Sequence, residues 1–388
     1  MSRRASYDGI VVTTPVTIPY VRFSIRAAHW WIGRALGELI RQSRIEKGHI
    51  DGFCVSSFTL APDTAIGLSE HLGLSTRWLD FIPLGGNCGV VSLRRAARAV
   101  QSGDAEIVAC IAGDTNHVDS FRQGTANFSR FARDAVYPMG AGGPNQSFAF
   151  LTDYYMRAYG AEPADFGKMC VAQRQNALKI PYAMFKKPLT MEEYLNARLI
   201  ADPVRLFDCV MPCAGAEGYL VMRRETAEAA GLKYARILGA IERHAAFQSD
   251  PIQYRGGWAL ERDELYGQAG VAPADIDFVQ LYDDYPVINM LQIEDLGFCA
   301  KGEAPALVRA NTLTVDGTFP INTSGGQLSV GQAGAAGGML GMVETIRQLT
   351  GQTIGGQVPD AKLGLVSGFG MINYDRGLST GAAILAAA

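Results

Sequence analysis

Cys88 stands in a glycine-rich stretch, LGGNCGVVSLRR from Leu84 to Arg95, directly ahead of an amphipathic run. A thiol at the first position of a helix meets free backbone N–H groups and the positive end of the helix dipole, which stabilise the thiolate and lower the thiol pKa. The same N–H groups can hold an oxyanion, so the position suits a nucleophile that attacks a carbonyl carbon. A small residue filling a tight turn explains a cysteine there equally well. Further along, Tyr282, Asp283, Asp284 and Tyr285 crowd between apolar flanks. Acidic pairs commonly mark a solvated turn or a helix cap, whereas a carboxylate enclosed by tyrosines can be raised into the range of a general base. The third stretch, NTSGGQLSVGQAGAAGG from Asn322 to Gly338, lets backbone approach a ligand or another helix closely. Helix packing accounts for such small residues as well as a ligand site does.

The elements that must position these groups follow from the apolar patterning. The chain has 388 residues, 48% hydrophobic and 19% charged, which suits a globular protein of two domains or one duplicated unit. YDGIVVTTPV (7–16) reads as a buried strand, residues 27–50 show helical periodicity, and DGFCVSSFTL (51–60) reads as a second strand. The helix after Cys88 stops at Gly103 and EIVACIAGD (106–114) follows as a strand, so strands and helices alternate as in a mixed α/β layer fold. The section from about 117 to 201, rich in Phe, Tyr, Met and Pro, breaks this rhythm and reads as an insertion that covers a substrate. A second half begins near Lys233, with a helical region from Gly270 to Phe298. Both halves carry a glycine-rich turn that feeds a helix and then a strand, which points to a duplication with units 1–232 and 233–388.

Several classes drop out. A net charge of −3 offers no basic surface for nucleic acid. No run reaches the roughly 18 apolar residues of a membrane span, and the segment after Arg3 and Arg4 lacks the apolar centre of a signal peptide. The seven cysteines show no zinc spacing beyond a weak Cys209-x-x-x-Cys213 pair, so they read as reduced thiols of a cytoplasmic protein with no metal site.

In order and spacing, these segments resemble the thiolase superfamily. Asn87-Cys88-Gly89 occupies the place of its nucleophile motif, Asn322–Gly338 resembles its Asn-x-x-Gly-Gly…Gly-His-Pro segment, and LVSGFGMINYDRGLSTGAAIL (365–385) resembles its final loop and closing strand. The resemblance implies a thiolase fold of two duplicated halves in an αβαβα arrangement, with the loop insertion in the first half. QNALKIPYAMFKKPLT (175–190), ADPVRLFDC (201–209) and residues 282–303 are similar to the sterol carrier protein X branch. That branch implies a homodimer core and a small zinc-ribbon/OB-fold partner subunit. It also implies coenzyme A as substrate, with no bound cofactor.

The departures change the chemistry expected. Gln332 stands where the family has the histidine of Gly-His-Pro, Tyr282-Asp283-Asp284-Tyr285 stands at His-Asp-Cys-Phe, and Ser367 and Gly368 replace a cysteine or histidine. The resemblance then implies that Cys88 attacks the 3-keto carbon of a 3-oxoacyl-CoA and carries the acyl group through thiolytic cleavage. Gln332 donates to the thioester oxygen, Asp284 transfers the proton beside Tyr282, and the backbone of Cys88 with Gly368 or Gly370 forms a second oxyanion site. Ser324, Gly325 and Gly326 are the expected contacts to coenzyme A, and the aromatic insertion suits a bulky or aromatic acyl group. Two alternatives stand beside this reading. One is a retro-aldolase that cleaves a 3-hydroxyacyl-CoA of steroid side-chain type with tyrosines and no acyl-enzyme; the other is a non-catalytic subunit of a thiolase-like complex.

Overall fold

The β-branched and small apolar runs assemble a nine-stranded mixed sheet, and the amphipathic runs cover it in layers. The computed structural model describes residues 5–117 and 143–388, with single positions between them; most of NFSRFARDAVYPMGAGG, the first part of the expected insertion, lies outside the described residues. The strands of the first half are β1 (Ile10–Val21), β2 (Gly52–Ser56), β3 (Trp78–Phe81), β4 (Ile107–Asp114) and β7 (Ala214–Arg223). A small separate hairpin, β5 (Leu199–Ala201) and β6 (Val204–Arg205), lies between β4 and β7 in the chain. The second half supplies β8 (Tyr234–His244), β9 (Phe278–Gln280), β10 (Leu363–Asn373) and β11 (Arg376–Ala387).

The order β3-β2-β4-β7-β1-β8-β11-β10-β9 contains the same pattern twice. On one side β2 and β4 are parallel and β4, β7 and β1 antiparallel; on the other β9 and β10 are parallel and β10, β11 and β8 antiparallel. A short antiparallel contact, Val11–Thr13 against Tyr234–Arg236, joins the two. The helices that frame the site and the layers are α1 (Ala28–Ser43), α2 (Cys88–Ser102), α3 (Pro144–Tyr159), α4 (Pro163–Ala177), α5 (Trp258–Ala269), α6 (Pro286–Asp295), α7 (Gly326–Val330) and α8 (Gly337–Thr350). α1 packs outside the first half on β1, β4 and β7, and α5 packs outside the second on β8 and β11. α2 and α8 touch each other and strands of both halves, so they form the central layer. The expected αβαβα layering of duplicated halves is therefore present. The region 270–298 departs from a purely helical reading: β9 comes first, and α6 begins only at Pro286, whose fixed φ suits the first turn of a helix.

The centre of the molecule also holds charge. Glu217 on β7 is wholly buried, accepts a bond from Thr17 Oγ1 at 2.6 Å, and Thr17 in turn accepts one from Arg347 of α8 at 2.9 Å. Burial pushes the Glu217 carboxyl up to about 8, against the attraction of Arg347. The folded state thus keeps a proton that an unfolded glutamate, with a pKa of about 4.3, gives up. The associated stability is present below that value and lost as pH rises through about 8. The melting temperature should fall between about pH 5 and pH 8, and Glu217→Gln should flatten the fall; an unchanged slope in the variant would remove Glu217 as its cause.

Candidate active site

Glycine against glycine brings the two halves' turns together. A Cβ at Gly89 would lie 2.4 Å from Gly338 O, and one at Gly338 would lie 2.4 Å from Gly85 O. Gly370 is bound by the same constraint, because a Cβ there would collide with Leu84 O and Asn87 N. The start of α2, the start of α8 and strand β10 therefore converge through glycines.

Tyr282 lies against this junction, its ring filling the space where Gly86 has no Cβ. Its hydroxyl donates to Asp284 Oδ2 at 2.8 Å, and Gln332 Nε2 donates to Asp284 Oδ1 at 2.7 Å, with a longer contact of 3.5 Å to Tyr282 Oη. Gln332, 48 positions along the chain, thus joins Tyr282 and Asp284 in one cluster around a carboxylate. Asp284 and Gln332 are half-buried while Tyr282 is buried. Desolvation raises the Asp284 carboxyl to about 7, offset in part by the bonds from Tyr282 and Gln332 and reinforced by neighbouring Asp283. Tyr282 is pushed well above its ordinary value by burial and by Asp284, so its phenol is a proton donor at rest.

Asp283 has another task. Buried and raised to about 6 by desolvation, it accepts from the backbone N–H of Gln327 at 3.0 Å and of Leu328 at 3.2 Å, capping α7. A Cβ at Gly326 would lie 2.1 Å from its Oδ2, and Gly325 packs on Ala177 with φ +101°. Ser324, Gly325 and Gly326, expected at coenzyme A, are buried, and the demand for glycine at 325 and 326 is met by protein contacts.

Cys88 occupies the first position of α2 as expected, but its thiol behaves otherwise. It is fully buried and donates to Ala335 O at 3.1 Å. Desolvation pushes it up to about 12, helped by Cys54 and Asp114 and opposed by Ser56. The lowering expected from the helix end is outweighed because the sulfur sits in the apolar core between the two halves. Of the seven thiols, Cys209 and Cys299 are the partly exposed ones, and Cys209 is raised to about 12 by burial, Asp208 and Asp284. Iodoacetamide on the native chain should therefore label Cys209 and Cys299 before Cys88; peptide mapping that finds Cys88 first would show that the turn opens in solution.

Other residues hold the cluster in place without having stood out in the sequence. Asp114, buried at the end of β4, accepts from Ser57 Oγ, Thr59 Oγ1 and the N–H groups of Phe58, Thr59 and Ala335 at 2.6–2.9 Å. It so fixes the turn that follows Gln332. Gln292 of α6 bonds both the N–H and the C=O of Tyr282, at 3.1 and 2.7 Å. Ser367, at the position where an acid/base group was expected, donates to Gln292 Oε1. The Tyr285 hydroxyl donates to Asn145, and its ring stacks on Phe148 at 4.4 Å; Phe369 continues the aromatic wall between Phe148 and Trp258. Among the described residues no cluster of three or more His, Cys, Asp or Glu side chains has a metal-binding arrangement.

Comparison with known proteins decides the family. Residues 247–380 match the family described as thiolase C-terminal domain-like. The chain is 31% identical to a steroid side-chain-cleaving aldolase of Thermomonospora curvata, over 81% of this chain and 83% of that one. It is 33% identical to the 17-hydroxy-3-oxo-4-pregnene-20-carboxyl-CoA lyase of Mycobacterium tuberculosis, over 79% and 82%. The chain belongs to the thiolase superfamily. A solved structure, that of the Ltp2-ChsH2(DUF35) aldolase, superposes with a TM-score of 0.83 at 28% identity, covering 98% of both chains. Within the superfamily the chain falls in the sterol carrier protein-like branch, as its segments 175–190, 201–209 and 282–303 resemble. Among the described residues, no helix is long and apolar enough to cross a membrane.

Proposed function

We propose that this thiolase-superfamily protein breaks a carbon–carbon bond beside the carbonyl of a coenzyme A thioester, by retro-aldol cleavage of a 3-hydroxyacyl-CoA. The Tyr282–Asp284–Gln332 cluster carries this reading, together with a Cys88 thiol that is turned into the core and held protonated. In the reaction the 3-hydroxyl gives its proton to Tyr282 Oη as Tyr282 passes its own to Asp284. The C2–C3 bond then breaks, its electron pair moves toward the thioester carbonyl, and the former C3 leaves as an aldehyde or ketone. The resulting enolate takes a proton at C2, which regenerates the ionised Asp284 and yields the shortened acyl-CoA. One N–H of the Gln332 amide holds Asp284; the other, whose contact to Tyr282 Oη is long at 3.5 Å, can turn to steady the developing oxyanion.

The second reading is thiolysis of a 3-oxoacyl-CoA through a Cys88 acyl-enzyme, favoured by the place of Cys88 at the first position of α2. It requires the thiol to leave Ala335 O and to lose its proton. A purely structural role is disfavoured by a half-buried carboxylate whose pKa is raised to about 7, a common property of catalytic sites. The proposal includes a homodimer core in the cytoplasm and a small zinc-ribbon/OB-fold subunit; the pairing of Ltp2 with ChsH2 in the similar aldolase structure supports a partner. The purified chain with its partner should release an aldehyde or ketone from a 3-hydroxyacyl-CoA without added coenzyme A. Turnover of the 3-oxoacyl-CoA alone, and only with coenzyme A present, would replace this reading by the second.

A further inference from the structure

The stretch that carries Tyr282 leaves the sheet before it reaches the cluster. The parallel β9–β10 ladder ends at Gln280 opposite Val366, so the backbone of Tyr282 has no ladder partner. Side chains take over that task. Leu281 N–H donates to Asn322 Oδ1 at 2.7 Å, and Gln292 of α6 serves both backbone groups of Tyr282: its Oε1 accepts from the N–H at 3.1 Å and its Nε2 donates to the C=O at 2.7 Å. One amide side chain thus pairs with Tyr282 as an adjoining strand would.

Nothing in this amide is left over. A primary amide offers two N–H donors and two acceptor sites on its oxygen. The second donor goes to Ile288 O at 3.0 Å, and the second acceptor site takes the hydroxyl of Ser367, one residue past the ladder on β10, at 2.5 Å. Gln292 and Ser367 are both buried. A flipped amide would set its oxygen against two carbonyl oxygens and its NH2 against the Tyr282 N–H, so one orientation is allowed, and Ser367 adds to it. Beyond the clamped backbone, the Tyr282 ring fills the space over Gly86 and its hydroxyl reaches Asp284 Oδ2 at 2.8 Å. A tilt of the backbone is magnified at that hydroxyl, the atom of the side chain farthest from it. We propose that Gln292, its amide set by Ser367, is the positioning residue that holds the Tyr282 hydroxyl on Asp284 during proton transfer. Gln292 bonds to the backbone of Tyr282 and not to its hydroxyl, so it acts through Tyr282. The inference rests on the reading of Tyr282 and Asp284 as the proton-transferring pair.

Two variants of the full chain test it. Gln292→Met keeps the length of the side chain and removes all four bonds; Ser367→Ala removes only one, and decides the matter should Gln292→Met fail to fold. With the partner present, kcat on the 3-hydroxyacyl-CoA should fall roughly thirtyfold in Gln292→Met and roughly threefold in Ser367→Ala, with KM within about twofold of wild type, as small misplacements of reacting groups do. The bond from Tyr282 lowers the Asp284 carboxyl, so a displaced hydroxyl lets burial raise it further above about 7. The rising pH limb of kcat should therefore move to higher pH in both variants, and further in Gln292→Met. The same movement should appear without substrate in a carbon-13 NMR titration of the chain labelled at its aspartate carboxyls, the Asp284 signal being the one missing from Asp284→Asn. Tyr282, Asp283, Tyr285 and Cys209 are the other titratable groups around Asp284, and all are unchanged in the two variants. A loss of kcat with the Asp284 titration unmoved reduces Gln292 to a packing role and overturns the proposal. Wild-type kcat in folded Gln292→Met, or in Ser367→Ala where only that variant folds, overturns it too. A titration that moves in the variants of a wild type that cleaves no 3-hydroxyacyl-CoA overturns the function reading and leaves Gln292 as the residue that holds Tyr282 on Asp284.

Discussion

Asp284→Asn should lower kcat by about two orders of magnitude or more, with KM changed little. The amide matches the carboxylate in size and can still accept from Tyr282 or Gln332, so the cluster should persist while its proton acceptor is lost. The dependence on pH gives a second readout. Asp284 works ionised, and desolvation has raised its pKa to about 7. Turnover should therefore climb as pH rises through about 7 and level off above it, and this limb should be missing from whatever activity Asp284→Asn retains. The sign is opposite to what Asp284 contributes to stability: its folded-state pKa lies above the ordinary aspartate value of about 3.9, so ionising it costs the fold as pH rises. A pH at which the enzyme is most active above 7 and most stable below it is the joint expectation. Near-normal turnover in Asp284→Asn would move the proton acceptor away from this cluster.

The architecture was legible because it rests on periodicities that single segments display. Strand runs such as EIVACIAGD are buried on both faces and therefore read as continuous apolar stretches, and α2 ends at Gly103 in the left-handed region, as its sequence indicates. The grouping of Tyr282, Asp284 and Gln332 was legible only through the family resemblance, since nothing local links positions 50 residues apart. The role of Asp283 was not legible: beside Asp284 it looks chemically equivalent, yet the start of α7 claims its carboxylate. Cys88 was legible in part. Its helix end was visible, but the depth of its sulfur depends on the glycine-to-glycine packing of the two halves, a distance no local pattern encodes.

The largest divergence between the two chemistries is expected from Cys88→Ala. Removing one buried sulfur should cost about 1 kcal/mol, near the middle of single-substitution effects, so the variant should fold. In retro-aldol cleavage the proton moves between substrate, Tyr282 and Asp284, and no bond forms to sulfur. Cys88→Ala should then keep kcat on the 3-hydroxyacyl-CoA within about threefold of wild type, and mass spectrometry of wild type mixed with substrate should show no acyl adduct on Cys88. A thiolase cannot work this way, because the acyl group has no other place to wait for the incoming thiol. For that chemistry the substitution would cost about three orders of magnitude or more, as the loss of a covalent nucleophile does. The present geometry favours the first outcome: the thiol is shut in the core, donates to Ala335 O, and is held protonated up to about pH 12. An adduct on Cys88 with loss of activity in the variant would mean that substrate binding opens the turn between Gly85 and Gly89 and draws the sulfur out. Iodoacetamide labelling of Cys88 that appears only when substrate is present would detect the same opening independently.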